Sequence, residues 1–463
     1  MPRRIALLTA LLALAAAAPA GAATKPADDA CRQISPSASP CIGADKLAET
    51  GASACRQAGL PDTSCVLPLG HDVLASDLVA YQRSWVHAAA QRQFALGDSV
   101  PLRDAQWLGT HNSFNTDANG PTLSHTDNNQ QLTLTQQLDG DIRALELDVH
   151  YIPTADGGAS HVVVCHGRGP DQYHAGCTTE PLFKDVLPEI ATWLNHHSDQ
   201  VVLLYLEDEL GADAGYAETV STLNSVLGSR IYKPTEVPSG GCQNVPLDVS
   251  RADVLAAGKN VILVGNCRSG WSSDVFGWDA NHVESGSTPD YKPFPACDAT
   301  YNSGVYAAKL VRYFEDSTWL SAATSPNTTP ADQEAGSLTP AKVRSMTACG
   351  VNLFGLDQFE PGDGRVDASI WSWAPNQPDA SAGACAVQGA DGRWTSADCV
   401  TPRPAACRAS DGTWSLSPAV PLAGAAGACS ARGATFSLPR TGLENSQLHQ
   451  AAGSAPEVLL DLH

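Results

Sequence analysis

The sequence predicts an α/β fold, a distorted, TIM-like (β/α)8-type barrel followed by a small disulfide-rich C-terminal module. Three observations carry that expectation. From about Leu102 to Phe359, short apolar runs alternate with amphipathic stretches, the pattern of strand–helix units around a parallel sheet. Several of those runs end in ionisable or amide side chains, which is where a parallel barrel places its chemistry. Beyond Gly362 the composition turns to Ala, Gly, Ser and Cys with clustered tryptophans, so a different unit begins there.

Residues 1–23, MPRRIALLTALLALAAAAPAGAA, join two arginines, an apolar run and small residues of the Ala-x-Ala kind. They read as a secretory signal peptide. Residues 24–97 are a Cys-rich lead-in and a packing helix. SDLVAYQRSWVHAAAQRQFAL is read as one helix, capped by Ser76 or Asp77, with Leu78, Tyr81, Trp85 and Ala89 at helical spacing. His87 on it is read as a bystander.

The barrel is assigned to residues 98–362. Its strands are AQWLGTH, RALELDVHY, HVVVCHG, QVVLLYLEDE, KNVILVGN and VNLFGLDQF, all expected to be parallel. LFKDVLPEIATWLNHH, GYAETVSTLNSVLGS and TPAKVRSMTAC are the helices between them, and Pro188 is expected to kink or restart the first. The stretch from Arg268 to Glu334, rich in Gly, Pro, Ser and aromatics, is assigned no strand and is read as loops around a pocket mouth. Residues 363–463 form the C-terminal module, and no regular short-period repeat is evident.

Length, charge and cysteines limit the partners. At 463 residues the chain accommodates a full-sized core and an accessory unit. A formal net charge of −21 argues against a nucleic-acid partner, whose phosphates need a basic surface, and against electrostatic adhesion to anionic membranes. Fourteen cysteines behind an export signal imply disulfides. Their grouping suggests local bridges, within Cys31, Cys41, Cys55 and Cys65 and between Cys165 and Cys177. A secreted or periplasmic monomer with no membrane-spanning segment after the signal is expected.

The chemistry concentrates in Trp107–His166 and the strand after it. His111 and Asn112 end one run, and His166 ends another. Glu146 and Asp148 lie on the run between, two apart and therefore on one face of a strand. Glu207 ends a fourth run. Asn112, Glu146, Asp148 and Glu207 offer the hard oxygens Ca²⁺ prefers, where it takes about 6–8 ligands including water. Two imidazoles beside a hard cation suit general acid–base work on a phosphodiester. His125, His150, His161 and His174 are read as structural.

These residues also form a family pattern. Gly109-Thr110-His111-Asn112-Ser113, Glu146-Leu147-Asp148, His166-Gly167 and Leu206-Glu207 together resemble the X-region of phosphatidylinositol-specific phospholipases C. LTQQLDGDIRALELDVHY is most similar to the secreted, Ca²⁺-dependent microbial branch, because acids stand at 146 and 148 where Ca²⁺-independent members carry a basic residue. The resemblance implies cleavage of an inositol phospholipid to diacylglycerol and inositol 1,2-cyclic phosphate, which water then opens to inositol 1-phosphate. It implies His166 as general acid and His111 at the phosphoryl oxygens, with the base left open among His111, Glu146 and Glu207. Arg268 and Asp357 are the expected substrate contacts. Related glycerophosphodiester or sphingomyelin phosphodiesterases, and a non-catalytic carbohydrate- or surface-binding protein, are the alternatives.

SIWSWAPNQPDASAGACAVQGADGRWTSADCVTPRPAACR resembles the latter half of a C-type lectin domain, and the chain after it the first half, which implies a permuted order. Gln377-Pro378-Asp379 matches a galactose-selective motif of such lectins. Thr395 and Ser396 replace the Asn-Asp pair that motif needs, which favours a structural module over a carbohydrate-binding one.

Overall fold

The computed structural model describes residues 75–116, 129–154, 158–165, 180–239, 241–280, 282–286, 292–297, 309–315, 338–362 and 364–463, with a few isolated positions between them. The signal peptide, Cys31, Cys41, Cys55, Cys65, His125, His174 and His166 lie outside the described residues.

The stretch expected as one helix is two, α1 (Ala75–Gln82) and α2 (Trp85–Leu96). Ser84 separates them. Its hydroxyl accepts from the His87 amide at 3.2 Å as the N-cap of α2, a role serine fills better than a helix interior. His87 Nδ1 meets Asp141 Oδ2 at 2.8 Å and Tyr81 donates to the same oxygen, so this histidine ties the lead-in helices to the barrel.

The barrel elements follow as β1 (Trp107–Thr110), α3 (Leu134–Asp139), β2 (Ala144–Pro153), β3 (Ser160–Val164), α4 (Phe183–His196), β4 (Val202–Glu209) and α5 (Asp213–Val226). Then come β5 (Ile231–Tyr232), α6 (Arg251–Ala256), β6 (Val261–Gly265), β7 (Phe276–Gly277), β8 (His282–Gly286), β9 (Leu310–Phe314), α7 (Pro340–Ala348), β10 (Leu353–Leu356) and α8 (Arg365–Ser369). Parallel ladders join the order β5-β6-β4-β2-β1-β10-β9-β8. Among the described residues no ladder joins β5 to β8, so the sheet curls without closing.

Three expectations change. The HVVVCHG run is not a parallel barrel strand: β3 lies antiparallel to β2, with Tyr151 opposite Val162. The connection 154–159 is too short for the crossover of a dozen or more residues that parallel strands need, so the chain returns as a hairpin. Helix α4 runs through Pro188 without a break, its buried face of Val186, Leu187, Ile190, Trp193 and Leu194 outweighing one lost backbone bond. And the stretch assigned no strand contains β7, β8 and β9.

The sheet has two buried faces, as parallel sheets require. Odd-numbered residues of β2 (Leu145, Leu147, Val149) and even-numbered ones of β4 (Val202, Leu204, Leu206) pack against α4 and α5. The opposite face fills the barrel in layers. The lowest holds Trp107, Ala144, Leu203, Ile262, Leu310 and Leu353. Along the strands above them, Glu146 lies opposite Tyr205 and Tyr205 opposite Val264, Gly109 lies opposite Gly355, and Arg312 of β9 lies opposite Leu353.

The C-terminal module adds β11 (Cys385–Gly389), β12 (Trp394–Ala397), β13 (Ala406–Arg408), β14 (Trp414–Leu416), α9 (Leu422–Ser430), β15 (Thr435–Phe436), α10 (Gly442–Ala452) and β16 (Glu457–Leu459). It does contain a repeat. Asp391-Gly392-Arg393-Trp394 and Asp411-Gly412-Thr413-Trp414 turn matching hairpins, each aspartate accepting from the amide two residues on, at 3.0 and 2.9 Å. Gly392 and Gly412 take the same positive φ, 81° and 87°, which a side chain disfavours. Each hairpin then gains a third strand, β16 beside β11 and β15 beside β13. Cys385–Cys399 and Cys407–Cys429 bridge the module, while Cys165–Cys177, Cys242–Cys267 and Cys297–Cys349 bridge the barrel. The Cys165–Cys177 bridge agrees with the expectation from spacing.

The module caps the N-terminal end of the barrel. Gln106, just before β1, accepts from Gly442 N at 3.0 Å and donates to Thr347 O and Val351 O. Gln93 of α2 accepts from Trp371 N at 2.7 Å. Barrel chemistry belongs to the other end.

Candidate active site

At the C-terminal ends of β1, β2, β4 and β10 the barrel stops being apolar. His111, Asn112, Glu146, Asp148 and Asp357 are all buried, and Glu207 is half-buried.

His111 leaves β1 on the inward face, and its Nδ1 lies 3.1 Å from Asp357 Oδ1 at the end of β10. A carboxylate only accepts, so Nδ1 carries the proton and Nε2 is the nitrogen left for other partners. Burial lowers the pKa of His111, but Asp357 and Glu146 raise it further, and the ring is pushed up to about 9. Asp357 is itself held: its Oδ1 accepts from Asn129 Nδ2 at 3.2 Å, and its amide donates to Glu315 Oε2 at 2.6 Å. Glu315 forms a fully buried ion pair with Arg365 at 2.6 Å, and Arg365 also donates to the carbonyls of Asp357 and Gln358.

Asn112 has φ of 43°, a left-handed conformation asparagine tolerates better than most residues. That turn aims its amide at Glu146 Oε2, 3.2 Å away. Its Nδ2 donates to Asn129 Oδ1 at 3.1 Å, which leaves its carbonyl oxygen 3.1 and 3.2 Å from the two Asp148 oxygens. Turning the amide over would let Nδ2 donate to Asp148, but would set its oxygen against Asn129 Oδ1. Asn129 is fixed in turn, because its Oδ1 accepts from Asn115 and its Nδ2 faces the Asp357 carboxylate. The network therefore sets an amide oxygen against the Asp148 carboxyl, a contact that either a proton on Asp148 or a bound cation stabilises.

One carboxylate oxygen from each of Glu146, Asp148 and Glu207 lies within 4.8 Å of the others. Burial, then the neighbouring Glu207 and Glu146 carboxylates, hold Asp148 well above the usual carboxylate range. Burial, then Glu146, push Glu207 up to about 7. Without a cation Asp148 and Glu207 hold their protons to higher pH than ordinary carboxyls do. The donor set, three carboxylates and one amide oxygen with no thiolate, fits a hard cation of the Ca²⁺ or Mg²⁺ kind.

Local sequence explains the scaffold. Thr133 and Gln136 form a capping box at the start of α3, and Gln137 in that helix donates to the carbonyls of Ser113 and Leu132 while accepting from Thr110. Gln130 Nε2 donates to the carbonyls of His111 and Leu356, joining the ends of β1 and β10. Gln130 and Gln137 together thus clamp the rim.

Of the expected residues, the structure gathers His111, Asn112, Glu146, Asp148, Glu207 and Asp357 at one rim. His166 lies outside the described residues; the residue before it, Cys165, donates its amide to Asp148 O at 3.1 Å. Arg268 is not brought to the cluster. It pairs with Asp208 at 2.6 Å, and Asp208 points to the helix side of β4, where Tyr216 donates to it. Alternation along β4 sends residues 207 and 208 to opposite faces, which is why Arg268 ends up outside the barrel. Asp357 reaches His111 and acts as its orienting partner. His150 is buried on β2, and His161 faces Glu218 at the surface. Gln377 Oε1, expected in a sugar motif, accepts from the amides of Ser396 and Asp379 at 2.9 and 3.2 Å, so it serves the module's own turn.

Sequence reasoning missed Arg312, whose guanidinium meets Glu146 Oε2, and the supports Asn129, Glu315 and Arg365. The signal for Arg312 was present as a lone arginine inside the β-prone run LVRYF.

The family model described as the Rv2075c PI-PLC-like domain matches residues 66–363. The chain is 55% identical over 436 residues to the "Uncharacterized protein Rv2075c" of Mycobacterium tuberculosis strain H37Rv, covering 92% of this chain and 89% of that one. It is similar to a phosphatidylinositol-specific phospholipase C from Listeria monocytogenes, 19% identical, covering 61% of this chain and 98% of that chain at a TM-score of 0.40. It is also similar to a calcium-dependent phosphoinositol-specific phospholipase C from Pseudomonas sp, 14% identical, covering 58% and 97% at a TM-score of 0.30. With a family match over most of its length and a full-length relative at that identity, the chain belongs to the Rv2075c PI-PLC-like domain family.

Proposed function

We propose that the protein is an exported, Ca²⁺-dependent phosphoric diester hydrolase or lyase. Its substrate is phosphatidylinositol, cleaved to diacylglycerol and inositol 1,2-cyclic phosphate. The observation that carries this reading is the convergence of Glu146, Asp148 and Glu207 carboxylate oxygens, with the Asn112 side chain against Asp148, beside a histidine oriented by a buried aspartate. When bound, Ca²⁺ would supply charge stabilisation at the phosphoryl oxygens and ease ionisation of the attacking hydroxyl.

The chain's own groups take the remaining roles. His111, held protonated at neutral pH, donates through Nε2 to a phosphoryl oxygen. Asp357 fixes the ring and stabilises its charge. A carboxylate of the cluster takes the proton of the inositol 2-hydroxyl as that oxygen attacks phosphorus. His166 gives a proton to the departing glyceryl oxygen, a role carried over from the family pattern. The five disulfides among the described residues support export, because such bridges persist in oxidising compartments. Among those residues no helix is long and apolar enough to cross a membrane.

Phosphorus NMR of phosphatidylinositol incubated with the protein, with and without EDTA, tests the reading. A cyclic phosphate signal that EDTA abolishes is expected. Cleavage indifferent to EDTA rejects the cation, and an absence of turnover on inositol lipid rejects the substrate.

A further inference from the structure

Arg312 enters the barrel from β9, where it lies opposite Leu353 of β10. It starts on β9 and reaches Glu146 on β2, passing β10 and β1. Glycines stand on both strands it passes. A Cβ on Gly355 would lie 3.4 Å from Arg312 Nη2 and 2.8 Å from Phe314 Cβ, and one on Gly109 would strike the Phe354 and Ala144 carbonyls. The guanidinium lies over the rings of Tyr205 and Phe314, 5.2 and 4.7 Å from their centroids, and the side chain is 7% exposed. It shares Glu146 Oε2 with the Asn112 amide.

A charge buried this deeply is costly unless it answers another one. Glu146, Asp148 and Glu207 carry three negative charges when ionised, and Arg312 reduces the sum to two. We infer that Arg312 is a specificity-determining residue that matches the charge of the carboxylate cluster to a divalent cation and discriminates against trivalent ones. The inference rests on the proposed cation site. Coulomb energy scales with the cation's charge, so a fixed positive group opposes a trivalent ion half again as strongly as a divalent one. The guanidinium bonds Glu146, the carboxylate set two residues below Asp148 and Glu207 on the sheet, so its charge is delivered where the bound ion would feel it.

Calorimetric titration with Ca²⁺ and with La³⁺ on the full chain tests this in wild type, R312Q and R312K. R312Q keeps a donor toward Glu146 without the charge, and R312K keeps the charge without the fork. The expected result is a La³⁺-to-Ca²⁺ affinity ratio raised at least tenfold in R312Q and near wild type in R312K. A merely structural role would lower both affinities together and leave the ratio unmoved, which overturns the inference; so does loss of all cation binding in a folded R312Q. If R312Q does not fold, R312K decides alone: a ratio shifted like a charge removal overturns the inference, and a preserved ratio supports it. Wild type that binds neither ion overturns the cation reading itself.

Discussion

His111 Nδ1 lies 3.1 Å from Oδ1 of Asp357, a carboxylate with no exposed surface. The pair spans the seam between β1 and β10, so the first and last barrel strands share one functional group. Asp357→Asn removes the charge that raises His111 from its ordinary value to about 9 and leaves only a neutral amide oxygen to accept from the ring. The expected outcome is a lower His111 pKa by NMR titration and a turnover loss of about 10²–10⁴-fold, the range for general acid–base groups. An unchanged His111 titration would show that the contact is incidental.

Behind Asp357, the Glu315–Arg365 pair is buried on both sides. Arg365→Met leaves Glu315 ionised without its partner, which costs about 3–5 kcal/mol in urea unfolding. Adding Glu315→Gln removes the stranded charge, so the double variant should be more stable than Arg365→Met alone. Equal stability of the two would mean that the carbonyl bonds of Arg365, not the charge, hold the rim.

Much of this rim was legible in the sequence because a parallel strand exports its last inward residues to one end. His111, Glu146, Asp148 and Glu207 each lie at or near the end of an apolar run, and alternation puts Glu146 and Asp148 on one face of theirs. Asp357 was legible as a strand end, though its role as partner to His111 depends on β1 and β10 being adjacent, which no local pattern records. Arg268 misled for the same reason: closeness to a strand end says nothing about which face its partner occupies. Arg312 and Glu315 were lost with the Gly- and Pro-rich stretch around them, where a five-residue strand has too little flanking periodicity to stand out. The β2–β3 hairpin was misread because a fully buried run looks the same in either direction, and only the length of 154–159 tells them apart. In the module, the two Asp-Gly-x-Trp turns are visible in sequence, but the third strands that make them a repeat come from distant helix–strand units.

The carboxylate cluster makes stability depend on pH in a direction opposite to most acids. Glu207 has its folded pKa raised from 4.5 to about 7, so the cation-free fold holds a proton that the unfolded chain releases earlier. Its favourable contribution is complete below about 4.5 and is lost as pH rises toward 7. Melting temperature in EDTA should therefore fall across that window. Ca²⁺ takes the place of the protons, so the stabilisation it gives should grow over the same range. A Ca²⁺-induced shift of equal size at both ends of the window would contradict the linkage.

Asp148 is where function and stability conflict most directly. Its carboxylate is buried, faces the Asn112 carbonyl oxygen, and is held above its usual range by burial and by Glu207 and Glu146. Nothing in the packing of the barrel needs a charge there. Asp148→Asn keeps the shape, relieves the crowding of oxygens and gives the Asn112 oxygen a donor. At pH 8 in EDTA the variant should be more stable than wild type by about 1–2 kcal/mol, the size of gain typical when a strained functional residue is removed. It should also lose Ca²⁺ binding, because a neutral amide replaces one of three charged ligands. Thermal unfolding and calorimetric titration of the same samples read both effects. A variant that is less stable without the cation would show that Asp148 supports the fold, and the charge crowding at the rim would then need another cause.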